Sequence, residues 1–184
     1  MIRILTDSAS DLTATDSARP GVYTVPLSVT FADGTGGLDG VELTADEFYA
    51  HLKVDKVPPR TSQPSPSAYI QAYEDAAAAG DEVIVITIAQ KLSGTFQSAR
   101  LAAADADFAP YIVDSESATQ GEALIVREAL RLRDEEHLSA EEIFNALEQF
   151  KKRVRIVAIV DSLKHLQKGG RLPAAVAIVG GALG

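Results

Sequence analysis

Cysteine is absent from this chain of 184 residues. Its absence excludes disulfide bonds, thiolate catalysis and zinc or iron–sulfur sites built on cysteine. Basic residues are few: 17 lysines and arginines stand against 26 aspartates and glutamates, for a net charge of −9. This balance argues against a nucleic-acid backbone as the main partner, because phosphate binding needs clustered Lys and Arg. No apolar run is long enough to span a bilayer, so we expect a soluble, cytoplasmic protein without stable membrane insertion.

Sequence patterns of nucleotide and metal sites are also missing. The glycine-rich stretch 34–40 does not stand between a predicted strand and helix, and no GxxxxGK[ST] phosphate loop occurs. The three histidines, His51, His137 and His165, lie far apart in the sequence, each on a predicted helix. Such histidines are more often surface or packing residues than metal ligands. We therefore expect neither a metal nor a cofactor.

Several apolar segments have the composition of β-strands, and helical patterns separate them. Alternation of this kind predicts βαβ units, that is, an α/β fold with a parallel sheet flanked by helices on both faces. The segment 154–160 is apolar apart from Arg155 and does not alternate, as is typical of a strand covered on both faces. The predicted strands are residues 2–6, 23–31, 83–88, 111–113 and 154–160.

Helix starts are indicated by capping residues. Thr44 and Ser139 each stand three residues before a glutamate, which is the capping-box pattern. Ser65 is followed by Pro66, and proline suits the first position of a helix. The predicted helices begin after residues 44 and 139 and span residues 65–79, 93–104, about 121–133 and 163–166.

Two domains are predicted. Residues 1–160 form the α/β domain, and residues 161–184 are the start of a second α/β domain that is incomplete. The stretch after Pro173 is apolar to the last residue, and nothing in the sequence obviously covers it. We therefore expect the natural chain to continue beyond Gly184.

Three predicted strands end in Asp-Ser, at residues 7–8, 114–115 and 161–162. Taken singly, Asp and Ser at a strand end are best interpreted as turn formers or helix N-caps. Together they matter more, because the carboxyl ends of parallel strands share one edge, where open α/β sheets place their ligands.

Two hydroxyl-rich motifs stand at predicted helix starts: TSQPS at residues 61–65 and LSGTFQSA at residues 92–99. Hydroxyl donors beside a helix N-terminus attract an anion through hydrogen bonds and the local dipole. Ser93 is also open to interpretation as a helix cap or as a nucleophile. It lacks the GxSxG context of a hydrolase, however, and no histidine is placed by sequence as its base. Arg171 is either a surface charge or a fork for carboxylate or phosphate.

At these motifs the chain resembles the DegV family, the fatty-acid-binding subunits that work with a bacterial fatty acid kinase. The resemblance covers essentially all 184 residues, and its two hydroxyl motifs are specific. In family order, the matching segments are ILTDS at 4–8, DL at 11–12, VPL at 25–27, FY at 48–49, TSQPS at 61–65, LSGTFQSA at 92–99, VDS at 113–115 and LxKGGR at 166–171.

The resemblance implies that Thr61 and Ser93 bind the carboxylate of a long-chain fatty acid, with Ser62, Gly94 and Thr95 supporting the head-group site. The acyl chain would enter an apolar tunnel between two domains. A separate ATP-dependent kinase would then convert the bound acid to an acyl phosphate, with Arg171 as the candidate that faces the kinase or the phosphate charge. The chain itself would not be an enzyme.

The chain also departs from the family pattern. Ala89 and Gln90 replace residues that are commonly polar, and a C-terminal histidine that helps to hold the carboxylate in relatives has no counterpart. Two alternatives to the fatty-acid-binding function stay open. One is a serine hydrolase or phosphotransfer enzyme that uses Ser93, and the other is an interaction domain without a ligand.

Overall fold

The computed structural model describes residues 1–55, 57–104, 106, 109–159 and 164–173. In this part of the chain the strands are β1 Ile2–Asp7, β2 Val22–Val25, β3 Ser28–Thr30, β4 Gly36–Leu38, β5 Arg60–Ser62, β6 Glu82–Thr87 and β7 Tyr111–Asp114. The helices are α1 Ala14–Ser17, α2 Ala45–Val54, α3 Pro66–Ala79, α4 Thr95–Ala104, α5 Gln120–Asp134, α6 Ala140–Phe150 and α7 Lys164–Lys168. Two short 3₁₀ helices follow β1 and α6, at Ser8–Ser10 and Lys151–Arg153. Among these helices, none has the length and apolar character that crossing a membrane requires.

The main sheet has the strand order β2-β1-β6-β7, and all of its neighbouring strands run parallel. Thr6 of β1 lies opposite Ile86 of β6, and Thr87 of β6 lies opposite Asp114 of β7. The last five residues of β6 are all buried, as expected for a strand covered on both faces. The predicted parallel α/β sheet is confirmed.

Alternate residues of the central strands pack against helices on opposite faces of the sheet. On one face, Ile4, Ile84 and Ile86 join buried residues of α5 and α6, including Ile125 and Leu147. On the other face, the cluster consists of Leu5, Val25, Tyr69, Tyr73, Ala76, Val83, Val85, Ala99 and Ala102, with α3 and α4 as its helices. The side-chain alternation of a strand produces these two cores.

The segment 23–31 does not form the single strand that the sequence predicts. It divides at Pro26 and Leu27 into β2, which belongs to the parallel sheet, and β3, which belongs to a separate antiparallel sheet of order β4-β3-β5. Proline has no N–H for a sheet ladder, and the Leu27 N–H is donated instead to Ser8 Oγ at 3.1 Å. The division places the candidate residue Thr61 in the small sheet, opposite Val29.

The predicted strand at 154–160 is wrong over its described residues, 154–159. These residues have no regular secondary structure, and Val157 and Ile159 are 84% and 100% exposed. An apolar run becomes a strand only beside a partner strand, and none lies next to it in the described part of the chain. Of the predicted second domain, residues 161–184, the structure describes only 164–173, which include the short helix α7. The second domain therefore stays a prediction.

Helix boundaries follow the capping residues. Thr44 and Ser139 each accept the N–H of the glutamate three residues later, and each glutamate carboxylate accepts the N–H of its cap residue. Ser65 caps α3, with Pro66 at its first position. One start differs from the prediction, since α4 begins at Thr95 rather than at Ser93.

Candidate functional site

The carboxyl edge of the parallel sheet holds the strand-end aspartates together, as the sequence indicates. Asp7 follows directly on the buried core of β1, and Asp114 ends β7. Both carboxylates accept backbone N–H groups from the segment after β6, at Ile88 and Gln90. The third Asp-Ser pair, at 161–162, lies outside the described residues.

Ser93 lies on the segment that joins β6 to α4. Its backbone N–H and that of Leu92 are both donated to the carbonyl of Ala89, at 3.2 Å and 2.8 Å. The Ser93 side chain is half-buried, and its Oγ is 2.8 Å from Oγ1 of Thr95, a buried residue. Because the helix begins at Thr95, Ser93 does not occupy the capping position. Its hydroxyl therefore stands just ahead of the first turn, whose N–H groups have no partner within the helix.

Thr61 and Ser62 are exposed residues of β5. The structure joins their segment to the Ser93 segment through the next residue, Gln63, whose Nε2 is donated to Ser98 Oγ of α4 at 3.1 Å. The same amide covers Gly94, where an added Cβ would lie 2.2 Å from Gln63 Oε1. The two hydroxyl motifs thus meet at the start of α4. Sharing of one carboxylate by Thr61 and Ser93 stays a prediction.

Gln63 is the residue that sequence reasoning missed. It lies inside the TSQPS motif, between the hydroxyl residues that suggest an anion site by their chemistry. The signal was its position two residues after Thr61, combined with a glycine in the other motif. A glycine without a turn requirement often marks a close approach by another group, and Gly94 serves that purpose here.

Arg171 lies beside the same segment. Its Nε is 3.4 Å from the carbonyl oxygen of Leu92, and its Nη1 is 2.7 Å from the carbonyl oxygen of Gly169. The side chain is exposed. A guanidinium that is held by backbone carbonyls and open to solvent can still offer donors to an anion.

A pair of buried acids lies under this edge. Asp7 and Glu122 are both inaccessible to solvent, and Thr6 Oγ1 donates to Glu122 Oε1 at 2.9 Å. Burial raises the pKa of Asp7 to about 6, against hydrogen bonds from the Ile88 and Ala9 backbone that lower it. Burial, and then the negative charge of Asp7, raise the pKa of Glu122 well above its usual range. Glu122 was not predicted, because nothing in its helical sequence context distinguishes it from a surface glutamate.

His51, His137 and an open cavity lie elsewhere in the described structure. The His51 ring stacks on Phe31 at 3.9 Å, and its Nδ1 is 3.3 Å from Asp55 Oδ2. His137 lines an open cavity of about 350 Å³ beside Met1 and Ile2, at the amino edge of the sheet. Among the described residues, no three His, Cys, Asp or Glu side chains are grouped to hold a metal.

Comparison with known proteins settles the family. The model of the DegV family, a family of uncharacterised proteins, matches residues 1–184. The chain belongs to the DegV family. This DegV chain is 37% identical over 183 residues to a DegV domain-containing protein of Caldanaerobacter subterraneus. The alignment covers 99% of this chain and 64% of that relative. It therefore spans slightly less than two thirds of the relative's length.

Solved DegV structures share the fold. DegV of Bacillus subtilis, a fatty acid binding protein, superposes with a TM-score of 0.86 at 32% identity, over 100% of this chain and 65% of that one. A stearic-acid-binding protein from Eubacterium ventriosum superposes with a TM-score of 0.80 at 31% identity, over 99% of this chain and 64% of that one. The resemblance that the sequence motifs carry is confirmed at the level of the family and the fold.

Proposed function

We propose that this protein binds a long-chain fatty acid, with the Thr61 and Ser93 hydroxyls donating hydrogen bonds to its carboxylate. Ser62, Gly94 and Thr95 support the head-group site. The observation that carries the proposal is the contact of Gln63 with Gly94 and Ser98. This contact brings the two hydroxyl segments together in a chain whose relatives of known structure bind fatty acids.

The chemistry of the segment suits a carboxylate. An unpaired polar group costs roughly 2–7 kcal/mol when it is buried, so a head group that leaves water needs donors. Two hydroxyls and the N–H groups at the start of α4, which have no partner within the helix, supply donors, and the helix dipole favours a negative charge there. Each buried CH₂ of the tail contributes about 0.8 kcal/mol, so a long acyl chain provides most of the affinity.

The protein presents its ligand to a separate, ATP-dependent kinase rather than acting as an enzyme. Hydroxyl donors neutralise a carboxylate less than a lysine or arginine would, so its oxygens stay nucleophilic toward a phosphoryl group. Arg171 is exposed next to the Ser93 segment, where a positive charge would meet the incoming phosphate. The kinase brings the nucleotide and metal that phosphoryl transfer requires.

Alanine substitution of the two hydroxyls tests the proposal. Thr61→Ala and Ser93→Ala should each weaken palmitate binding by about tenfold, the effect of losing one hydrogen bond to a charged group. Isothermal titration of delipidated protein measures the affinity, with Thr30→Ala as a control, because Thr30 is another exposed threonine of the small sheet. Unchanged affinity in both variants would contradict the head-group assignment. Labelling of Ser93 by a fluorophosphonate would favour a hydrolase instead.

A further inference from the structure

The backbone N–H groups just before Ser93 are bound one after another by the carboxyl edge of the sheet. Ile88 N donates to Asp7 Oδ2 at 2.8 Å, and Gln90 N donates to Asp114 Oδ1 at 3.1 Å. Between them, Ala89 N donates to the Ser117 carbonyl at 2.8 Å. This segment follows the last residue of β6 and precedes α4, so neither a strand nor a helix partner fixes it.

The bonds continue from these anchors to Ser93. The carbonyl of Ala89 accepts both Leu92 N and Ser93 N. Ala89 is itself buried and held between the two residues whose N–H groups the aspartates accept. A displacement of Ala89 would therefore move the Ser93 backbone and, with it, the Ser93 hydroxyl.

We propose that Asp7 and Asp114 are positioning residues, which fix the 88–90 segment so that Ser93 faces the ligand head group. This inference rests on the proposed function. The proposal gives the aspartates of two of the three Asp-Ser strand ends a role beyond turn formation. Neither carboxylate touches the ligand in this role, because both are buried and occupied by backbone donors.

The two aspartates use their oxygens differently, and this difference makes the role testable. Asp7 uses both oxygens, since Oδ1 accepts Ala9 N at 3.1 Å while Oδ2 accepts Ile88 N. Asp114 uses Oδ1 alone for both Gln90 N and Glu116 N. Asparagine keeps one acceptor oxygen and replaces the other with an NH₂ donor. Asp114→Asn can therefore preserve both bonds. In Asp7→Asn, by contrast, the new NH₂ group faces the backbone N–H of either Ala9 or Ile88, so one of the two bonds is lost.

The experiment compares palmitate with 1-hexadecanol, which has the same tail and no carboxylate, in binding to delipidated protein. Asp7→Asn and Asp114→Ala should weaken palmitate binding by about tenfold and hexadecanol binding by less than about twofold. Asp114→Asn should bind palmitate as the unmodified protein does. The control is Asp81→Asn, which removes ion pairs with the amino terminus and Arg3 at the opposite edge of the sheet. This change should lower the melting temperature and leave both affinities unchanged.

Two results would overturn the proposal: unchanged palmitate affinity in both Asp7→Asn and Asp114→Ala, or an equal loss of affinity for both ligands, which indicates a purely structural role. Amide hydrogen exchange at Leu92 and Ser93 provides a readout without ligand. Faster exchange at these amides in Asp114→Ala, at unchanged global stability, supports positioning, and unchanged exchange contradicts it. If the unmodified protein binds no palmitate, the proposed function fails, while the exchange experiment still decides the positioning role.

Discussion

At the residue scale, the buried acids Asp7 and Glu122 make one contribution of definite sign to the pH dependence of stability. Their pKa values are raised in the folded state, Asp7 to about 6, whereas in an unfolded chain both groups titrate near pH 4. Between these values the pair binds more protons in the folded state than in the unfolded state, so its contribution to stability falls as the pH rises. Tyr69 and Asp11 face the pair, and neither supplies a positive charge to offset it.

Glu122→Gln should therefore stabilise the protein above pH 6. Glutamine keeps an acceptor for Thr6 and replaces the second oxygen with a donor, which removes the proton-uptake requirement beside Asp7. We expect a gain of about 1–2 kcal/mol in unfolding free energy at pH 7.5, the scale of relieving a buried charge conflict. The unfolding free energy should also decline less between pH 4.5 and 7.5 than it does in the unmodified protein. Urea denaturation across this range measures both. An unfolding free energy that is equal or lower at pH 7.5 would show that the pair is not in conflict.

The Gln63–Gly94 contact belongs to the same scale. Gly94→Ala places a methyl group 2.2 Å from Gln63 Oε1, so the amide must swing away and lose its bond to Ser98. We expect the fold to persist and fatty acid affinity to fall by about fivefold to tenfold, equivalent to about 1 kcal/mol for the lost hydrogen bond.

A double-mutant cycle separates this effect from a direct one of the methyl group. The Gln63→Ala/Gly94→Ala variant should bind palmitate as well as Gln63→Ala alone, because the clash has no partner once the amide is gone. Additive losses in the cycle would mean that Gly94 acts on the ligand itself.

At the element scale, helices are stabilised by their own caps together with one buried face. Ser139 and Glu142 cap α6 reciprocally, with Glu142 Oε2 accepting Ser139 N at 3.0 Å. Ile143 and Leu147 then bury the helix against the sheet. Neither cap residue lies on the segments that carry the hydroxyl motifs.

Ser139→Ala should accordingly lower the unfolding free energy by about 1 kcal/mol, the usual cost of losing an N-cap, and leave palmitate affinity unchanged. Thermal unfolding and isothermal titration of the same preparation provide the two values. Weakened palmitate binding in this variant would mean that α6 communicates with the head-group segment.

Sequence reasoning reached the helices and the parallel strands because their signals are local. Capping boxes at Thr44 and Ser139 and the apolar run of β6 need no distant information. It failed at 154–159, where strand formation depends on a neighbour, and at Pro26, where one apolar run divides between two sheets. The hydroxyl motifs were found from residue type, whereas Gln63 and Glu122 matter only through residues far away in the sequence.

At the scale of the whole molecule, the candidate site residues lie at one edge of the parallel sheet. Its register places Asp7, Thr87 and Asp114 at neighbouring strand ends. The two aspartates accept N–H groups of the segment after β6, which leads to Ser93. The Thr61 segment belongs to the small antiparallel sheet, and the hydrogen bond from Gln63 to Ser98 joins it to the start of α4. The open cavity beside His137 lies at the other end of the strands.

The crystal structure of the protein with bound palmitate tests this arrangement most directly. The account predicts carboxylate oxygens within about 2.6–3.2 Å of both Thr61 Oγ1 and Ser93 Oγ, at ordinary hydrogen-bond distances. A carboxylate bound away from both hydroxyls, for instance in the cavity beside Met1 and His137, would contradict it.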